Sequence, residues 1–417
     1  MRAPTLPTLP PLALLTAALL AACGKTPPSA GQITDPDSGT PVAITPQGKV
    51  LQAAENEAPD GGPGAKKTAA AAGAKEKVDV PRGKFEAGST PGDRGRDATL
   101  EPALLQIELG GYSIDKYLYP NDPQKPPVTG VTRTRAAEMC QDAGGRLCTE
   151  LEWERACKGP EGSAWAGSAT WDAACAKAPA TCVSGFGALG MGSALREWTA
   201  SDVAPIENMQ PKAAAVRGAK GDAAGPDHRC AHRTGVEATS SGDDLGFRCC
   251  HGAPNAASIP APQFQQTFRK AEISPSQIAD MIATVPELKE LSREITYYKE
   301  PDDVNLVLSR GDAGVNTVPN TSFTTQPILW SPVPGEEILV VAARAQKSSF
   351  IVAFYRLPGD RYRIASSLLL KDERGPIVFG ENGYNRKRIP WGLCWDCRGE
   401  SGYVSYRDDN RVVITQK

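Results

Sequence analysis

The stretch Arg146-Leu147-Cys148-Thr149-Glu150-Leu151-Glu152-Trp153-Glu154-Arg155-Ala156-Cys157-Lys158-Gly159 reads first as a short helix with defined ends. Thr149 is a good N-cap residue, and Glu152, three positions on, can reach back to its N–H, which is the capping-box pattern. Glu150, Glu152 and Glu154 place negative charge in the first turns, where the helix dipole favours it. Cys148 and Trp153 stand at the N′ and N4 positions of a hydrophobic staple, while Trp153, Ala156 and Cys157 share one face at spacings of three and four. Lys158-Gly159-Pro160 ends the helix. In an exported chain, a cysteine at either end of so short a helix points to stapling against distant segments.

Upstream, residues 1–22 read as a signal peptide. Arg2 is its thin positive end, Leu12 to Leu20 its apolar centre, too short to span a bilayer comfortably, and Leu20-Ala21-Ala22-Cys23 resembles a bacterial lipobox. Lipidation of Cys23 would hold the mature protein at a membrane face. With Gly24 and no acidic retention signal after it, the chain is expected in the cell envelope, lipid-anchored and extracytoplasmic, at the outer membrane or on the periplasmic side. Residues 23–77 are rich in Pro, Gly, Ala and Lys and too poor in large apolar groups to offset their ordering entropy, so they read as a disordered tether. The net charge of −2 and pI near 6.1 give no electrostatic case for nucleic acid.

The middle domain is expected over 78–252. Ala136, Met139, Cys140 and Ala143 mark a helix stopped by Gly144-Gly145, and the Thr149 helix follows directly. Residues 253–270 turn Pro- and Gln-rich and read as a linker. A second domain is expected over 271–417. Ser274-Pro275-Ser276-Gln277 caps a helix with Ile278, Met281, Ile282 and Val285 on one face, Pro286 breaks it, and Leu288, Leu291 and Ile295 continue a second one. Residues 337–343, 349–357, 362–370 and 411–416 are rich in Val, Ile, Phe and Tyr, with Pro358-Gly359-Asp360 as a hairpin turn. Both domains are of the α+β class, the second with an antiparallel sheet.

The helix stretch also resembles the Arg-Leu-Pro-Thr-Glu-x-Glu-Trp-Glu segment of the formylglycine-generating enzyme (sulfatase-modifying factor) family, with Cys148 in place of the proline. Val80-Pro81-Arg82-Gly83-Lys84-Phe85, Tyr112-Ser113-Ile114-Asp115-Lys116-Tyr117, Glu197-Trp198-Thr199, Val216-Arg217-Gly218 and Leu245-Gly246-Phe247-Arg248-Cys249 are similar to further family segments in the same order. The resemblance implies a C-type-lectin-like fold with little regular secondary structure. It also implies disulfides Cys140–Cys249 and Cys157–Cys230. Cys148 and Cys250, each beside or near a bridged position, suggest a third bridge, Cys175 and Cys182 a local loop, and Cys394 and Cys397 a tight pair. Eleven cysteines less Cys23 leave an even ten.

Catalysis is where the resemblance departs. The family oxidises a substrate cysteine with copper held by a Cys-x₄-Cys thiolate pair, soft ligands for a soft ion. Counted back without gaps from Cys230, those positions are Gly225 and Lys220. Copper is therefore not expected. The family's calcium loop reads Gly192-Ser193-Ala194-Leu195-Arg196-Glu197-Trp198 here. Ala194 replaces a carboxamide ligand, which leaves Glu197 as a lone weak calcium candidate. His228 and His232, with Asp243, Asp244 and Arg248, form a candidate ligand groove. Cys394-Trp395-Asp396-Cys397 is followed by a loop instead of a helix, which favours a structural bridge over a redox or zinc site.

Three functions follow. The leading one is a non-catalytic, membrane-tethered module that binds a protein or peptide. The alternatives are a formylglycine-type or related oxidative enzyme with displaced thiols, and a structural spacer of the envelope.

Overall fold

A computed structural model describes residues 75–204, 213–263, 265, 268–310, 323–383, 385–394 and 401–417, together with the short segments 33–34 and 41–42. Cys23, Cys397 and most of the expected tether lie outside the described residues. The two short segments within that tether are strands. They pair with each other, and Ile33 meets Tyr362 at the edge of the C-terminal sheet.

The middle domain begins slightly before residue 78, since Lys77–Val80 is already a strand and Glu76 pairs with Lys116 at 2.5 Å. Its strands are two to seven residues long. One four-stranded sheet runs 77–80, 112–115, 249–251, 146–147, and a second runs 233–236, 214–217, 196–202, 245–246. A separate hairpin joins 83–87 to 105–109. Between them lie helix α1, Arg133–Asp142, and helix α2, Glu150–Lys158.

Helix α2 has the capping box that its sequence implies: Thr149 accepts from the Glu152 N–H, and the Glu152 carboxylate accepts from the Thr149 N–H. Its setting differs from that of a surface amphipathic helix, because every residue from Glu150 to Lys158 is buried. Leu151, Trp153, Ala156 and Cys157 enter one core with Val78, Phe85, Ile114 and Met191. The opposite side is a buried ion-pair lattice. Glu150 is held by Arg217 at 3.0 Å and Arg233 at 2.6 Å, and Glu154 by Arg217 at 3.1 Å and Lys158 at 2.9 Å. Acidic side chains that read as dipole complement therefore serve as the hub of a charged interior. Such pairs are weak sources of net stability, yet costly to break from one side.

Four disulfides cross-brace these short elements. Cys140–Cys249 and Cys148–Cys250 fasten α1 and the start of α2 to one strand, Cys157–Cys230 fastens the end of α2, and Cys175–Cys182 closes a local loop. They place the folded part in an oxidising environment. Among the described residues no helix is long and apolar enough to cross a membrane.

In the second domain the strands 338–345, 348–357 and 361–370 form the centre of an antiparallel sheet. A five-stranded sheet, 323–324, 378–380, 388–392, 401–406 and 412–416, covers one face of it. Helix Pro275–Ile282 covers the other face. Side chains along 338–343 alternate between the two cores: Ile338, Val340 and Ala342 point to the second sheet, Leu339, Val341 and Ala343 to the helix. Burial on both faces explains why this strand reads as a continuous apolar run. The expected second helix after Pro286 is instead a 3-10 turn, Lys289–Arg293, and a further helix, Asp302–Ser309, follows it.

Candidate functional site

The position at which the resemblance would place a metal lies after strand 214–217. Gly218, at φ +78°, turns the chain where a Cβ would stand 3.0 Å from the Leu195 carbonyl oxygen. The chain then reaches a short 3-10 turn, Gly225–His228, and enters Cys230, which is tied to the end of α2.

A second segment lies directly on this one. The Cys230 N–H donates to the Ala164 carbonyl at 2.8 Å, and Trp165 Nε1 donates to the Gly225 carbonyl at 3.1 Å. The Trp171 ring stacks on His228, with centroids 4.1 Å apart and planes 4° apart. A Cβ at Gly225 would stand 2.8 Å from Trp171 Cδ1 and 3.2 Å from its Nε1, and one at Gly221 would stand 2.6 Å from the Ala176 carbonyl oxygen. Cys175–Cys182 closes a small turn four residues after Trp171. Position 225 thus has no room for a thiol-bearing side chain while Trp171 is in place. The cavity left between Trp165, Trp171, Ser193 and His228 is about 10 Å³, the size of one water. Ser193 Oγ, buried there, has no protein hydrogen-bond partner.

All nine described cysteines are disulfide-bonded, Cys394 included. The donor set for a soft copper ion is therefore missing from the described residues. Calcium fares no better at Glu197. Both of its carboxylate oxygens accept from the guanidinium of Arg248, at 2.7 and 3.0 Å, with both side chains fully buried. A divalent cation would have to displace a buried cation that also donates to the Asp115, Lys116 and Leu189 carbonyls.

The five residues read as a groove do not gather into one. His228 is buried with Nδ1 on the Gly192 carbonyl at 2.8 Å and Nε2 on the Ala223 carbonyl at 3.2 Å, which leaves neither nitrogen for a ligand. Arg248 is buried in its pair with Glu197. Asp244 is bound by Arg196 at 2.8 Å, which holds its carboxyl below the ordinary aspartate range. Asp243 is exposed. His232 is half-buried, and burial lowers its pKa by disfavouring the charged ring. Trp165 and Trp171, which do define the recess, carry no sequence signal beyond being tryptophans. Trp391, beside the second-domain cysteines, is a core residue between the two sheets.

A larger cavity of about 260 Å³ lies at the junction of the two domains, bordered by Gln263, Gln265, Glu337, Arg356 and Asp360. Its charges are mutually satisfied: Arg356 holds Glu337 and Asp360, each at 2.6 Å, and Arg269 also holds Glu337.

Residues 119–253 match the Sulfatase-modifying factor enzyme 1-like domain family. Strands 77–80 and 112–115, before residue 119, pair into a sheet with 249–251, so the folded domain is longer than the matched segment. Among solved structures, PvdO from Pseudomonas aeruginosa aligns with a TM-score of 0.33 and 18% identity, over 42% of this chain and 94% of its own. Treponema denticola variable protein 1 aligns at 0.34 and 16%, over 42% and 94%. CarF aligns at 0.32 and 16%, over 43% and 99%. No curated protein matches the chain.

Proposed function

We propose that this chain, with its sulfatase-modifying-factor-type domain, is an exported, membrane-tethered binding module and not a formylglycine-forming oxidase. The observation that carries this reading is Trp171 over Gly225: the position that matches a family thiolate holds glycine and is covered by the Trp171 ring, just ahead of the Cys175–Cys182 turn. The absence of a free thiol among the described residues supports it from the donor side. The recess beside Trp171 is the size of one water and encloses no small molecule, which supports recognition of a protein or peptide segment by the exposed surface around it. Lipidation at Cys23 supplies the tether.

Two measurements test this. Incubation with copper(I), oxygen, a thiol reductant and a cysteine-containing sulfatase peptide is expected to give no formylglycine; formylglycine in the product refutes the reading. Cys23→Ala is expected to move the protein from the membrane pellet to the soluble fraction, and unchanged pelleting argues against a lipid tether.

A further inference from the structure

The loop from Gly88 to Ala103 touches both the second domain and the 225–233 segment, and on each side the contact is close enough to transmit position. Toward the second domain, Arg96 is 1% exposed and donates to Glu336 at 2.5 Å and to the Gly335 carbonyl at 3.4 Å. Asn410 Nδ2 donates to the Arg96 carbonyl, and Arg363 pairs with Asp93 at 2.7 Å. Two glycines with positive φ leave no slack here. A Cβ at Gly92 would stand 2.4 Å from the Tyr355 ring, and one at Gly335 would stand 2.3 Å from the Ala98 carbonyl oxygen.

Toward the middle domain the same loop is held as firmly. The buried Glu101 carboxylate receives two bonds from Arg229, both at 2.9 Å, and Arg229 also donates to the Gly95 carbonyl at 2.9 Å and to the Pro226 carbonyl at 2.9 Å. Arg233 donates to the Leu100 carbonyl at 3.2 Å. Gly95, again at positive φ, has space for no Cβ, because Pro226 would be 2.5 Å away. Arg96 closes the circuit by donating to the Glu101 carbonyl at 3.1 Å. A continuous run of charge-assisted hydrogen bonds, buried but for its partly buried last link, therefore leads from Glu336 through Arg96, Glu101 and Arg229 to Pro226, next to the glycine under Trp171.

We propose that the second domain is a positioning element for the 225–233 segment, acting through the 88–103 loop as a wedge clamped from both sides. The two domains then work as one unit, and anything that loosens the second domain's grip on Arg96 and Asp93 loosens the turn that carries His228. This concerns where the segment sits and not what binds beside it, so its test needs no ligand and can fail while the binding reading stands.

The test is hydrogen–deuterium exchange on the full chain, read at peptides covering 88–103 and 225–233. In Glu336→Gln, protection in 225–233 is expected to fall by roughly tenfold together with that of 88–103. Arg363→Gln breaks only the partly exposed pair with Asp93, folds even if the first variant does not, and is expected to give the same pattern at roughly threefold. Glu337→Gln, which loses Arg269 and Arg356 without touching the wedge, should leave 225–233 unchanged. Loss of protection confined to 88–103, or an equal loss in Glu337→Gln, overturns the proposal.

Discussion

Restoring the thiol pair by Lys220→Cys with Gly225→Cys asks whether the covering loop, and not merely the missing sulfur, closes the site. The new Cβ at 225 would lie 2.8, 3.2 and 3.3 Å from three atoms of the Trp171 ring. The ring is partly exposed and stacks on buried His228, so making room for that Cβ means giving up the stack. Overpacking of this kind costs about 1–3 kcal/mol. Position 220 is exposed and adds little. The double variant is therefore expected to lose about 1–3 kcal/mol in denaturant unfolding. It should also show no tight copper(I) uptake in competition with a chromogenic chelator, its native bridges having been verified by mass. Adding Trp171→Ala should return part of the lost stability by removing the collision. A double variant that keeps full stability and binds one copper ion tightly with Trp171 in place would refute the occlusion argument.

Other consequences are equally direct. Replacing Cys157 and Cys230 together with serine opens a loop that, given the Cys148–Cys250 bridge, runs from 148 to 157 and from 230 to 250, about 30 residues. The chain-entropy relation gives about 3.6 kcal/mol for that length, against about 2.5 kcal/mol for removal of Cys175–Cys182, and equal losses in urea unfolding would contradict it. Glu150→Ala leaves Arg217 and Arg233 buried without their shared partner and should cost about 3–5 kcal/mol, whereas a loss under 1 kcal/mol would mean that water reaches the lattice. At Glu152, burial raises the pKa, but bonds from Arg146, the Thr149 N–H and Asn255 outweigh it and leave the value lowered. Its folded form thus releases its proton more readily than the unfolded chain does. The stability it adds is complete above the ordinary glutamate value of about 4.3 and is lost as pH falls through the lowered folded value. The stability gap between the native chain and Glu152→Gln should accordingly shrink on acidification, and a constant gap would count against the bonding described.

Local chemistry was legible and tertiary chemistry was not. The Thr149–Glu152 box and the Ser274–Gln277 box lie within four residues of sequence, and both form. The cysteine pairs fall where family spacing and adjacency put them, since a bridged sulfur leaves a neighbouring sulfur within reach of the next. Glu150 and Glu154 were harder. Their arginine partners stand more than 60 residues away in sequence, and an acidic first turn looks the same whether it faces water or Arg217. The groove failed for a related reason: its residues come from separate segments, and Pro226 sets a 3-10 turn that buries His228. The second sheet of the C-terminal domain is built partly from strands such as 378–380 and 388–392, too short or too Pro- and Gly-marked to register as strands. Trp171 gained its meaning only when a fold contact across more than 50 residues laid it on Gly225.

Central to the account is a sulfatase-modifying-type shell whose sulfur is spent on cross-links and whose metal position is filled. The most direct measurement is a thiol count on the purified, unreduced full chain in denaturant, paired with a copper(I) titration of the folded protein. The account predicts no reactive thiol and no stoichiometric copper. Two free thiols together with one tightly held copper ion per chain would contradict it.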